Sequence, residues 1–524
     1  MTPDEPAPVF ADATLWHLVE RRAALTPDTR MLVDEIGRSM TFREYRDAAE
    51  RVAAGLADLG VHADTVVSWQ LPTWIESIVL VSALARLGAV QNPMVPIYRE
   101  REVAFCVRQT RAELLIVPSL WRGFDYAAMA ARVATDLGGV RVLVADRSLP
   151  EADPANLPPP PSRPMAAEHA PVRWIYYTSG STADPKGAKH TDPGLAAAAI
   201  AFLERLELRA DDRVALVFPF SHIGGSNFLF SGLLSGCTYV CVEAFEPQSA
   251  VAVLAREDVT IAGAGTPFHL AYLDVQRERG SAPIFPHLRA CNGGGGPKPD
   301  GLHYDVKREL GGVGVVSGYG LTECPVLAMN DLHSDDDAMA RSEGRPAPGV
   351  IMKIVGLDGR VCGPGEEGEI RAKAPQMLVG YVDPALDADG FDDQGFFRTG
   401  DLGYRLPGGH VVVSGRLKDI IIRKGENISA KEVEDLLYLH PKVFEVAVIG
   451  LPDAALGERC CAVVVPRSSD DPLGFAEMVE FLRGRGLMMQ KIPEQLVISD
   501  GLPRAPAGKV LKQDLKLRLM GTAS

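Results

Sequence analysis

The chain has 524 residues, 46 % hydrophobic and 23 % charged, with a formal net charge of -14 at pH 7. That length exceeds one ordinary core and calls for two or three domains, and the composition is that of a soluble globular protein. The acidic balance excludes nucleic acid as the main partner, because a polyanion is repelled overall.

The start, Met1 to Phe10, is acidic and proline-rich, so no targeting signal is expected. The first 150 residues alternate apolar runs with helical patterns: Thr65 to Leu71, Leu114 to Val117 and Arg141 to Ala145 read as strands. Trp74 to Val90 is the most apolar stretch, but Glu76 and Arg86 and its short length make it a packed helix, not a transmembrane segment. Leu149 to Pro171, with Pro158 to Pro161 in a row, is a surface connection between subdomains. A second α/β stretch runs from Val172 to about Glu323, with strands at Val214 to Phe220, Thr238 to Glu243 and Val259 to Ala262. From Gly344 to about Gly415 glycine-punctuated short strands predict a small β-rich unit. A compact unit then fills 416–524, with helices near Ala430 to His440 and Phe475 to Gly484 and strands at Glu445 to Ile449 and Cys461 to Val465. The fold class is therefore α/β. Residues 1–415 form a large N-terminal domain with a subdomain connection at about 149–171, followed by a small α+β domain. The eight cysteines form no C-x-x-C, which predicts reduced, buried thiols, no structural metal site and a cytoplasmic location.

The sharpest local feature is Tyr177-Thr-Ser-Gly-Ser-Thr-Ala-Asp-Pro-Lys-Gly187. After an apolar run come small residues that let backbone N–H groups approach phosphate oxygens, notably Gly180. Thr178, Ser179, Ser181 and Thr182 add hydroxyl donors and Lys186 adds positive charge. It is not a Walker A loop, which needs Gly before its Lys and Ser or Thr after; a solvent-exposed Ser/Thr turn has the same composition.

Further motifs follow in order: Phe218-Pro-Phe-Ser-His-Ile-Gly-Gly225, Gly318-Tyr-Gly-Leu-Thr-Glu323, Phe397-Arg-Thr-Gly-Asp401, Gly415-Arg-Leu-Lys-Asp-Ile-Ile-Ile-Arg-Lys-Gly-Glu-Asn427 and Pro503-Arg-Ala-Pro-Ala-Gly-Lys509. Together the six resemble those of the adenylate-forming superfamily of acyl-CoA synthetases, luciferases and peptide-synthetase adenylation domains, over nearly the whole chain. The texture around Asn92 to Glu102 is most similar to ligases of fatty and alicyclic acids.

The resemblance implies ATP, Mg²⁺ and coenzyme A as cofactors and a carboxylic acid as substrate. It implies that Glu323 is the Mg²⁺ ligand, as suits a cation that takes one or two carboxylates plus phosphate oxygens. Thr322 would donate to the α-phosphate, Tyr319 would face adenine, and Asp401 with Arg416 would hold the ribose. Gly294, Gly295 and Gly296 would form a small-residue turn shared by adenine and acyl group, following a strand at Leu288 to Ala290. Lys509 would stabilise charge at the α-phosphate. Lys418 would be a hinge, about which the C-terminal domain rotates between adenylation and thioester formation, with Gly425 beside the pantetheine channel. Arg423, Lys424 and Lys442 are candidate contacts for the CoA phosphates.

The acyl pocket is expected from His222, Ile223, Gly224, Gly294, Gly320 and Cys324. Ser221 stands where amino-acid-activating relatives carry an aspartate, which disfavours amino acids, since a buried ammonium needs a partner. Gly320 stands where acetate-using relatives carry a tryptophan plug, so a bulky hydrophobic, cyclic, aromatic or medium-chain acid is expected. Ala183, Asp192 and Ala507 depart from the usual pattern. They leave open a ligase that mainly performs the thioester half-reaction, beside carrier loading in trans, a luciferase-like oxygenase and a non-catalytic binding protein. A homodimer is compatible with all of these.

Overall fold

The computed structural model describes residues 14–164, 166–178, 185–296, 298–423, 426–453, 456–504 and 510–521. Two large sheets take their strands from between Arg30 and Pro346. One runs Lys186–Thr191, Val172–Thr178, Val90–Pro93, Val66–Trp69, Leu114–Val117, Arg141–Val144 and is parallel except for the first pair. The other has a parallel centre ordered Val315–Tyr319, Ala290–Gly294, Ile261–Ala262, Arg213–Leu216, Thr238–Cys241, Arg30–Asp34, with antiparallel strands at both edges. Parallel strands are covered on both faces, which is why they read as short apolar runs.

One core joins the two sheets. It takes Trp69 and Trp174 from the first, Leu216 and Tyr239 from the second, and the helices packed against both. The helix Ile75–Leu87 buries eleven of its thirteen residues and stops at Gly88, whose φ of 70° costs glycine nothing. It is the packed helix that the sequence predicts, and no helix of the described residues is long and apolar enough to cross a membrane. Seven cysteines are buried and Cys362 is partly exposed, all as free thiols.

A four-stranded antiparallel sheet follows: Ile351–Val355, Gly368–Lys373, Phe397–Arg405, Val411–Arg416. The one-turn 3₁₀ segment Leu417–Asp419 leads from it into the C-terminal sheet of Ile420–Arg423, Glu426–Ser429, Val443–Asp453, Gly457–Pro466 and Gln495–Ile498. The helices Ala430–Tyr438 and Phe475–Gly484 close a separate core around Ile421, Val433, Val446, Val464 and Met478.

The expected strand at Leu288 to Ala290 is displaced. The strand is Ala290–Gly294, so Asn292 to Gly294 pair in register with Val316 to Gly318 instead of forming a turn. Glycine suits this pairing because a Cβ on Gly294 would lie 2.9 Å from the Gly318 carbonyl oxygen.

Candidate active site

Ligands of open parallel sheets bind beyond the carboxyl ends of the strands, and the candidate residues gather there. Val172–Thr178 and Lys186–Thr191 pair as an antiparallel hairpin with Lys186 opposite Thr178, so the two residues that flank the proposed phosphate loop lie in register. Ser179, Gly180, Ser181 and Thr182 lie outside the described residues, as does Ala183. Lys186 is exposed, with Nζ 5.8 Å from the centre of the Tyr381 ring. Tyr381 is 3 % exposed, and its hydroxyl donates to Glu323 Oε1 at 2.9 Å.

His190, on the same hairpin strand, lies 2.8 Å through Nε2 from the Thr322 carbonyl oxygen. A carbonyl only accepts, so the proton is on Nε2 and Nδ1 is a buried acceptor without a protein partner. Burial pulls this imidazole down to about 4, so it is neutral near pH 7. Asp192 is buried and committed elsewhere. It accepts from the Leu15 amide at 2.8 Å and from the Trp174 indole at 2.7 Å, both in the core.

Tyr319 ends its strand and is 8 % exposed. Its hydroxyl donates to Asp401 Oδ2 at 2.8 Å, while Arg416 Nε donates to Oδ1 at 2.9 Å. Asp401 and Arg416 face each other in ladder register, which fixes the pair. Burial and the Asp401 charge raise the Tyr319 phenol, keeping it a donor. Lys418 follows directly; burial, with Arg416 and Lys186 nearby, lowers its ammonium.

A cleft of about 1400 Å³ is lined by Pro185, Gly294 to Gly296, Gly318 to Gly320, Asp401, Arg416 and Lys418. Arg504, Val510 and Lys512 line it from the C-terminal part. Lys509 lies outside the described residues, but its loop springs from an Arg504–Val510 bridge, with Arg504 held to Glu445 at 2.7 Å. Gly425 and Lys424 also lie outside them. Arg423 is ion-paired to Glu494, and Lys442 to Asp471 at 2.7 Å and Glu477 at 3.1 Å, so neither of these two presents an uncommitted charge to CoA.

The expected acyl pocket needs correction. Cys324 is fully buried among Leu327, Ala328, Met352 and Ile354, and Ile223 is 5 % exposed in the main core. A Cβ on Gly320 would lie 2.5 Å from the Val326 amide nitrogen, and one on Gly224 would lie 3.0 Å from the Phe218 ring. These two glycines permit close packing at those points, against backbone at Gly320 and against the Phe218 ring at Gly224, although Gly320 also lines the cleft. His222 caps the helix Ile223–Ser235, accepting from the Gly224 amide through Nδ1 at 3.2 Å, so its Nε2 carries the proton. Burial pulls it down to about 4.

Sequence reasoning missed Tyr381 and the role of His190. No local pattern flags Tyr381, because its contact with Glu323 joins residues 58 apart in the chain.

With this geometry in place, the comparisons define the class. The AMP-binding enzyme family matches residues 19–382 and its C-terminal domain family matches 432–509. The chain belongs to the AMP-binding enzyme family. It is 29 % identical over 530 residues to the medium-chain fatty-acid–CoA ligase of Escherichia coli, covering 98 % of this chain and 92 % of that one. It is 32 % identical over 507 residues to the indoleacetate–CoA ligase of Aromatoleum aromaticum, covering 95 % and 96 %. The o-succinylbenzoate coenzyme A synthetase of Bacillus subtilis, solved with ATP and magnesium, superposes with a TM-score of 0.82 at 27 % identity, covering 96 % and 100 %.

Proposed function

We propose that this protein is an ATP-dependent carboxylic acid–CoA ligase working through an acyl adenylate. The observation that carries this reading is convergence: residues from five of the six motifs, Pro185, Gly318 to Gly320, Asp401, Arg416 and Arg504 among them, line one cleft between the large and small parts of the chain, although none from Phe218 to Gly225 does. In the reaction, a carboxylate oxygen attacks the α-phosphorus of ATP and pyrophosphate leaves. The CoA thiol then displaces AMP from the acyl adenylate, forming the thioester.

Glu323 is the candidate Mg²⁺ ligand. Tyr381 occupies one of its carboxylate oxygens and no protein hydrogen bond among the described residues occupies the other. A lone carboxylate fits a cation that completes its shell from phosphate oxygens and water. When bound, the cation would neutralise phosphate charge. Lys186 supplies charge at the hairpin mouth, and Thr322 is tied to the same strand through its carbonyl bond to His190. Asp401 is assigned to the ribose, Tyr319 to the adenine side and Lys509 to the α-phosphate during adenylation. The turn Leu417–Asp419 is a short joint between the two sheets it connects, which supports Lys418 as the hinge and a domain boundary near 415/416.

For the acid, we retain a bulky hydrophobic, aromatic or medium-chain substrate on grounds other than the glycines. Neutral His222 and buried Ser221 bring no carboxylate for an ammonium, and the two relatives named above act on a medium-chain fatty acid and on indoleacetate. The enclosure of Asp192 in the core removes one argument for an enzyme confined to the thioester step. A homodimer and a cytoplasmic location are carried as expectations. The reading is tested by AMP release from a panel of acids with and without CoA. Acid-dependent AMP release that CoA accelerates is expected, and no AMP with any acid would refute it.

A further inference from the structure

We propose that Tyr381 is a positioning residue that ties Glu323 to the stem of the phosphate hairpin, presenting one carboxylate oxygen to the cation. This rests on the reading of Glu323 as the magnesium ligand.

The segment 376–382 works as a clip. Its Leu378 amide donates to the Glu323 carbonyl oxygen at 2.7 Å. The Val379 amide donates to Lys189 O at 2.9 Å, the Lys189 amide to Gly380 O at 3.0 Å and the Val382 amide to Gly187 O at 2.8 Å. Tyr381 itself is bridged to Ala188 and its amide donates to Asp387 Oδ1 at 2.9 Å. The approach is close enough that a Cβ on Gly187 would lie 2.9 Å from Val382 Cγ2. The backbone of Tyr381 is therefore held by the strand that begins at Lys186.

From that fixed base the side chain reaches in two directions. Its hydroxyl donates to Glu323 Oε1, while its ring face lies under the Lys186 ammonium. Among the described residues no ion pair joins Lys186 to Glu323 directly. Such a pair would commit both charges to each other. With the tyrosine between them, each is oriented and each keeps its charge for a ligand: Lys186 for phosphate, Glu323 for the cation. Groups that orient a metal-binding carboxylate from behind typically contribute about 10- to 100-fold in metal affinity or activity.

The test is Tyr381→Phe, which keeps the ring and removes only the hydroxyl. Free Mg²⁺ is titrated in the acid-dependent ATP–pyrophosphate exchange. The half-saturating Mg²⁺ concentration is expected to rise about tenfold or more, with the maximal rate largely restored at high Mg²⁺. Calorimetric binding of ATP provides a readout apart from turnover: binding in EDTA should match wild type, which also shows that the variant is folded, and binding with Mg²⁺ should weaken. In a Glu323→Gln background the added Tyr381→Phe change should have no further effect. Equal weakening of ATP binding with and without Mg²⁺ would overturn the proposal. So would an unchanged Mg²⁺ requirement while Glu323→Gln raises it, and that result would leave the metal reading intact. If Glu323→Gln also leaves the Mg²⁺ requirement unchanged, the metal reading fails and the proposal falls with it.

Discussion

The Asp401 carboxylate offers about four lone-pair sites. Tyr319 and Arg416 take one on each oxygen, which leaves one on each, the arrangement that two adjacent ribose hydroxyls would use. Asp401→Asn keeps the shape and changes this count. The single amide oxygen must accept from Tyr319 or Arg416, while the NH₂ group faces the other donor. One donor is left unpaired in a site where Asp401 is 3 % exposed, and a hydroxyl loses its charged acceptor. A hydrogen bond to a charged group is worth about 1.5–3 kcal/mol, so kcat/KM for ATP should fall about 10- to 100-fold. The assay compares ATP with 2′-deoxy-ATP in pyrophosphate exchange for both proteins. Wild type should prefer ATP, and the variant should lose most of that preference. A variant with the same ATP to 2′-deoxy-ATP ratio as wild type would refute the assignment of Asp401 to the ribose.

Lys509→Ala should lower adenylation roughly 10²- to 10³-fold and leave thioester formation from a synthetic acyl adenylate intact; equal loss in both half-reactions would count against it. Lys418→Pro restrains φ at the joint and should impair CoA transfer far more than pyrophosphate exchange. Gly320→Trp should strain the 324–326 turn, costing roughly 1–3 kcal/mol as overpacking does. Activity should drop with every acid, with no turn toward acetate; a gain with acetate would show that the ring does enter the acyl site. His190 and His269 are buried and His222 is half-buried, and all three are pulled down to about 4, against about 6.5 unfolded. Their contribution to stability is therefore complete above about pH 6.5 and is lost as pH falls from there toward 4. The thermal midpoint should decline over that window, and less steeply in His269→Gln.

The α/β class was legible because local patterns carry it, as were two helices and two of the five strands of the small C-terminal domain, whereas Ile420–Arg423, Glu426–Ser429 and Gln495–Ile498 were not read as strands. The helix Phe475–Gly484 lies where its apolar periodicity places it. The six motifs were legible because each is contiguous. What periodicity does not contain is register and direction. Pairing with Val315–Tyr319 draws Asn292 to Gly294 into a strand, and the neighbours of Gly320 show that its missing side chain would point into backbone. Asp192 looks like an acid beside a phosphate loop until Trp174 and Leu15 are seen to hold it. Tyr381 became visible only when the 376–382 segment was seen to pair with the Lys186 strand.

The central claim is an acyl adenylate formed in the cleft that Asp401 and Arg416 line. The direct measurement uses an accepted acid labelled with ¹⁸O in its carboxylate, followed by mass analysis of the nucleotide after turnover with ATP, Mg²⁺ and CoA. Attack by the carboxylate on the α-phosphorus, followed by thiolysis, requires one labelled oxygen to leave in AMP. Label in AMP at one atom per turnover is the predicted result. Label in inorganic phosphate with ADP as the nucleotide product, or AMP that carries no label, would contradict the account.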